Sequence, residues 1–126
     1  MTNTTFGLSK TLIQENTTLN PYRLVKLGTS QDQVVAATAD TDVLFGVTDE
    51  SADATAGNPV NVIFSGIVKV TIASATTKGA YITATTAGKG AATTTNLKKY
   101  IGILLETTTG TDQPAQVLLC PGQMSV

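Results

Sequence analysis

The chain has 126 residues, 8 basic and 9 acidic, giving a net charge of −1 with no histidine and one cysteine. That length fits one domain with a proper core, while a near-neutral balance with scattered cations lacks the basic patch that nucleic acid requires. The missing histidine removes Ser-His-Asp and Cys-His nucleophile systems and, beside a single Cys120, transition-metal sites.

Charged residues make up 13%, about half the usual quarter, and threonine fills 24 positions instead. Threonine is β-branched, suits a half-buried pleated face, and loses little side-chain entropy when another protein covers it. A lone cysteine excludes an internal disulfide framework, and Cys120, within Val117-Leu118-Leu119-Cys120, reads as a small buried hydrophobe.

Residues 1–20 are rich in Thr, Asn and Ser, with spaced apolar residues at Phe6, Leu8, Leu12, Ile13 and Leu19. They lack the basic and apolar regions of a secretory signal. Two readings stand: a frayed terminus, or an arm that orders on a partner with its apolar residues as anchors. Asn20-Pro21 marks the entry into the first strand.

From there the apolar pattern has a period of two, which predicts strands at 22–28, 32–37, 43–49, 60–65, 67–73, 80–85, 99–106 and 115–120. Val60, Val62 and Phe64 alternate with Asn61, Ile63 and Ser65; Val68, Val70 and Ile72 alternate with Lys69 and Thr71; Ile101, Ile103 and Leu105 alternate with Gly102, Leu104 and Glu106. Such alternation places one face on a core and the other toward solvent or a second layer. Gly28-Thr29-Ser30, Gly57-Asn58-Pro59, Lys78-Gly79, Gly88-Lys89-Gly90 and Thr109-Gly110-Thr111-Asp112 supply turns. Gly66, inside the apolar run 60–72, marks a bulge, a bend or a tight turn. Helical turns are weakly signalled at 49–56 and 93–99. The organisation expected is all-β: an extended N-terminal arm over 1–20 and a single β domain over 21–126, built as a small barrel or sandwich.

Candidate chemistry is thin. Asp40-Thr41-Asp42, and Asp49-Glu50 with Asp53, offer alternating oxygens, but neither fits the calcium-loop spacing, and acids in turns more often cap their own backbone. Ala87-Gly88-Lys89-Gly90 resembles a phosphate loop, yet Thr83 and Gly90 stand where that motif needs Gly and Ser or Thr. A glycoside-cleaving carboxylate pair would want an aromatic-lined cleft, and the chain has three Phe, three Tyr and no Trp. The trimeric all-β nucleotide hydrolases are a rival on size, but no clustered Gly, Asp and Ser motifs are present. The longest apolar runs are far too short for a membrane span. The expectation is therefore no catalytic residue, no cofactor, no metal, no small-molecule substrate and no membrane.

The order Phe45-Gly46-Val47-Thr48, Ala56-Gly57-Asn58-Pro59-Val60-Asn61-Val62, Ser65-Gly66-Ile67-Val68-Lys69-Val70, Lys78-Gly79-Ala80-Tyr81-Ile82, Gly102-Ile103-Leu104-Leu105-Glu106 and Val117-Leu118-Leu119 resembles that of tailed-bacteriophage capsid decoration (head cement) proteins over roughly 22–120. Asn58-Pro59 and Ala80 depart from the family's more polar residues after glycine. The resemblance implies a β-barrel or β-tulip module, a homotrimer on the exterior of an expanded virion head, and the major capsid protein as partner. The protein would be made soluble in the host cytoplasm. It also implies that an N-terminal arm touches the capsid, with Phe6, Leu8, Leu12 and Ile13 as the anchors. The alternative is a glycan- or protein-binding β module of a phage fibre or tail.

Overall fold

In the computed structural model, which describes residues 7–15, 19–53 and 55–125, the strands close into two five-stranded rings. The first ring uses β1 (Ser9–Gln14), β2 (Leu24–Leu27), β3 (Gln33–Ala36), β4 (Gly46–Thr48) and β5 (Pro59–Ile63), in the order β1-β3-β2-β4-β5. The second uses β6 (Ile67–Ile72), β7 (Tyr81–Ala84), β8 (Gly90–Ala92), β9 (Lys99–Leu104) and β10 (Gln113–Gln123), in the order β10-β6-β8-β7-β9. Closure removes exposed strand edges, which suits a chain with few charges to guard them. The all-β barrel expectation is met, but as two barrels in series rather than one.

All eight expected strands exist, and β1 and β8 are additional. Segment 1–20, expected as an arm, contributes β1: Ser9–Gln14 pairs antiparallel with β5 over five positions and parallel with β3 over two. Leu12 then lies in the first core, with Leu19, Val25, Val34, Val60 and Val62. Among the described residues no helical turn forms at 49–56 or 93–99, and the only one is a 3-10 turn, Thr86–Gly88. Gly66, with φ of +104°, makes the tight turn between β5 and β6, a left-handed conformation that glycine adopts without steric cost. Cys120 is half-buried rather than buried.

The phase of β9 also differs from the alternation. Ile101 and Leu104 are both buried, and Leu105 is exposed. The cause is a bulge: the β9–β10 register shifts between Leu119 and Gly122, opposite Ile101. The extra residue adds local twist, which returns Ile101 to the core.

Adjacent residues on one strand serve two cores. Val25 belongs to the first barrel's core and Leu24 to a second cluster that fills the other barrel; Val62 and Ile63 divide in the same way. The second cluster joins Leu24, Leu44, Val47 and Ile63 of the first barrel to Val70, Ile72, Ile82, Ile101 and Val117 of the second. Strands buried on both faces explain why Val62 and Ile63 are both apolar. Each such side chain contributes about 1.5–3 kcal/mol on burial.

Backbone contacts reinforce the seam. Thr71 N–H donates to the Tyr22 carbonyl at 2.8 Å, and Lys99 N–H donates to the Asp40 carbonyl at 2.8 Å. Arg23 Nη1 donates to the Ala87 carbonyl at 3.0 Å, bringing the Thr86–Gly88 turn of the second barrel onto β2. A Cβ on Gly88 would lie 2.7 Å from the Leu24 carbonyl oxygen, so only glycine allows that approach.

Candidate functional site

Most of the acidic residues, the first place to look for chemistry, are bonded to turn N–H groups, side-chain amides or lysines. Asp42 accepts N–H bonds from Thr38 (3.0 Å) and Ala39 (3.2 Å) and pairs with Lys26 at 3.1 Å. Burial pushes its carboxyl up, but those N–H groups and the Lys26 ammonium outweigh it, so the group sits below the ordinary carboxylate value. Asp40 pairs with Lys98 at 3.2 Å, tying the first barrel's loop to the second barrel. Asp49 accepts from Ser51 N–H (2.8 Å) and Asn61 Nδ2 (2.8 Å). Asp53 accepts from Asn58 Nδ2 (2.9 Å), Gln14 Nε2 (3.0 Å) and Thr55 N–H (3.1 Å), and these donors hold its carboxyl below the usual value. Asp112 pairs with Lys89 at 2.9 Å, so the glycine-flanked lysine that resembled a phosphate loop is part of an ion pair. Among the described residues no three Cys, Asp or Glu gather as a metal site would need.

What the surface does offer is apolar. At the seam the loop before β4 raises Val43, 75% exposed, between two shallow grooves. One, of about 260 Å³, is lined by Lys26, Leu27, Val43, Leu44 and Phe45. The other, of about 340 Å³, carries Tyr100, Pro121 and Gly122 on its far wall. Of their cations, Lys26 is paired with Asp42, and Lys99 donates to the neutral side-chain oxygen of Gln123. Around Leu27, Val43 and Phe45 the seam therefore presents hydrocarbon beside an ion pair, which costs little to cover.

Aromatic contacts extend this surface both ways. Phe45 packs on Phe64 with ring centres 5.8 Å apart, and Tyr100 packs on Tyr81 at 4.7 Å. Tyr100 also lies across Gly122, where a Cβ would come within 2.5 Å of its hydroxyl oxygen. Leu8 reaches the Phe64 end: its carbonyl accepts the Phe64 N–H at 3.0 Å, continuing the β1–β5 ladder by one step.

The anchors expected near the start of the chain thus have different places. Leu8 is 63% exposed beside Phe64, Ile13 is half-buried in β1, Leu12 is in the first core, and Phe6 lies outside the described residues. Sequence reasoning did not find Val43, Leu27 or Tyr100 as surface residues. Their only signal was position, since Val43 and Leu44 are neighbouring apolar residues of which just one can point inward.

The profile described as "phage cement protein" matches residues 10–120. A comparison with curated protein sequences gave no match. Among solved structures, the fold is similar to the crystal structure of the N base of head fibre gp8.5 in bacteriophage phi29, with a TM-score of 0.72 and 17% identity over 94% of this chain and 98% of that one. At that identity the likeness is one of fold.

Proposed function

The chain belongs to the phage cement protein family, which places it among phage head structural proteins, and on that footing we propose that it coats the exterior of an expanded head as a homotrimer and holds neighbouring major capsid subunits together. The observation that carries this reading is the family match over residues 10–120, nearly the whole of both barrels. The seam supports it physically: an exposed apolar surface on a twin-barrel scaffold is suited to adhesion and needs no catalysis.

The proposed capsid contact is the surface from Leu8 through Phe64 and Phe45 to Leu27 and Val43; Phe6 is kept as a proposed anchor by its place in the sequence alone, two residues before Leu8. A trimer presents three copies of one modest contact, and simultaneous engagement multiplies them into strong avidity. If the contact forms only on the expanded lattice, binding stabilises that lattice by mass action.

The test is co-sedimentation of purified protein with expanded, undecorated heads. Wild type pellets with the heads, and Val43→Glu, which places a charge on the seam without touching either core, stays in the supernatant. Heads left bare by folded wild-type protein would sink the proposal; full binding by Val43→Glu would move the contact elsewhere.

A further inference from the structure

The seam groove between Val43 and Tyr100 holds an ammonium with no carboxylate beside it among the described residues. Lys98 and Lys99 are consecutive residues at the start of β9, and neighbours in an extended chain point opposite ways. The loop before β4 serves them unequally. The Asp40 carboxylate pairs with Lys98 at 3.2 Å, while Lys99 meets only the Asp40 carbonyl, which accepts its backbone N–H at 2.8 Å. Lys99 Nζ donates instead to the side-chain oxygen of Gln123, the residue facing it on β10. At the seam, then, Lys26 takes Asp42, Lys98 takes Asp40, and Lys99 is left with a neutral amide.

The setting of Lys99 separates it from the other lysines. Lys69 and Lys78 also lack a carboxylate among the described residues, but both are exposed and solvated, whereas Lys99 is half-buried. Its groove, of about 340 Å³, takes its apolar lining from Val43, Leu44, Tyr100 and Pro121. The space depends on Gly122, which faces Tyr100 across the two strands, since any side chain there would displace the ring. Val43 and Lys99 line the same groove, so a partner that covers one covers the other. Taking water from an ammonium whose side-chain partner is an amide is costly unless the covering surface brings a carboxylate.

We propose that this groove receives a carboxylate-bearing segment of the major capsid partner, with an Asp or Glu side chain on Lys99 Nζ and the segment's apolar atoms against Val43, Tyr100 and Pro121. An ammonium carries three donors and Gln123 takes one, so two remain for the incoming carboxylate. The charge then acts as a filter. A capsid surface with an acid at this place gains a charge-assisted bond in a partly dehydrated site, while a neutral or basic surface leaves Lys99 covered and unpaired and is rejected. The inference rests on the capsid reading of the proposed function and adds to it the chemistry required on the partner's side.

The experiment is co-sedimentation of the full chain with expanded, undecorated heads over a range of salt, with a circular dichroism melt of each variant beside it. Lys99→Glu weakens binding by roughly tenfold or more through like-charge contact. Lys99→Gln loses less and responds less to salt than wild type does, and Lys99→Arg, which keeps the charge, binds nearly as wild type. Lys69→Glu makes the same charge change on an exposed residue outside the groove and leaves binding unchanged. Lys99→Gln and Lys99→Arg decide the matter should Lys99→Glu fail to fold. Wild-type binding by Lys99→Glu or by Lys99→Gln at every salt, or an equal loss in Lys69→Glu, overturns the proposal and leaves the cement reading in place. Heads left bare by folded wild type overturn both.

Discussion

Gln14 and Asp53 meet at the end of the first barrel: Nε2 of Gln14, a side chain only 1% exposed, donates to Oδ1 of Asp53 at 3.0 Å. The last residue of β1 is thereby held to the loop before β5, which also reaches it through Gly57 N–H to the Gln14 carbonyl at 2.8 Å. An amide facing the core in a strand otherwise read as a polar terminus makes sense once its partner, 39 residues away, is in place.

Acid should loosen the protein in a narrow range. Asp53 and Asp42 both have folded values below the ordinary 3.8. A depressed carboxyl contributes stability that is complete above its unfolded value and is lost as pH falls through the folded one. Melting temperature is expected to stay level as pH drops toward 3.8 and to decline below it. Asp42→Ala removes bonds to a charged group and lowers stability at neutral pH by about 1.5–3 kcal/mol, with a flatter acid limb. Thermal melts across pH check both statements, and an acid limb unchanged in the variant refutes the assignment.

Leu8 and Leu12 separate contact from core although they stand four residues apart. Leu12→Ala empties space in the first barrel and should cost about 2–5 kcal/mol in a urea titration. Leu8→Asp should leave stability within about 0.5 kcal/mol while weakening co-sedimentation with heads. A large loss of stability in Leu8→Asp would contradict its exposed place beside Phe64.

Two glycines should respond differently to alanine. A Cβ on Gly102 would run into the Leu118 carbonyl on the paired strand. Neither backbone can yield without opening the β9–β10 ladder, so Gly102→Ala should cost about 3 kcal/mol or more. Gly57 has open space around it but a φ of +86°, so Gly57→Ala should cost only the left-handed strain, about 1–2 kcal/mol. Equal losses in denaturant titrations would show that the close approach at Gly102 is not limiting.

Ile82 reports on the joint between the barrels. It is fully buried in the cluster shared by both, and Ile82→Ala should lower stability by about 2–5 kcal/mol. Because that cluster also includes Leu24 and Val47 of the first barrel, the variant should still melt in one transition by circular dichroism. Two separated transitions would mean that the barrels unfold independently.

The extended character of 60–63, 67–72 and 99–104 was legible in the sequence because it depends on local alternation, and Gly66 was legible as a break in the apolar run, with bulge, bend and turn left for the structure to decide. The turn-capping by Asp42 and Asp49 was legible too, since both accept from N–H groups a few residues away, but the partners of Asp40, Asp53 and Asp112 are distant and were not. Ser9–Gln14 escaped notice because its inward residues include Gln14, whose partner is distant, and Gly90–Ala92 escaped because its side chains are too small to form a pattern. The sequence by itself determined which segments are extended, since a two-residue period is a property of the chain alone. Only the tertiary structure decided that the strands close into two rings, that Leu24 and Val25 serve different cores, and that Val43 and Leu118 are left outside. Those outcomes depend on which distant strands pair and in what register, and a one-residue shift of register exchanges the buried face for the exposed one.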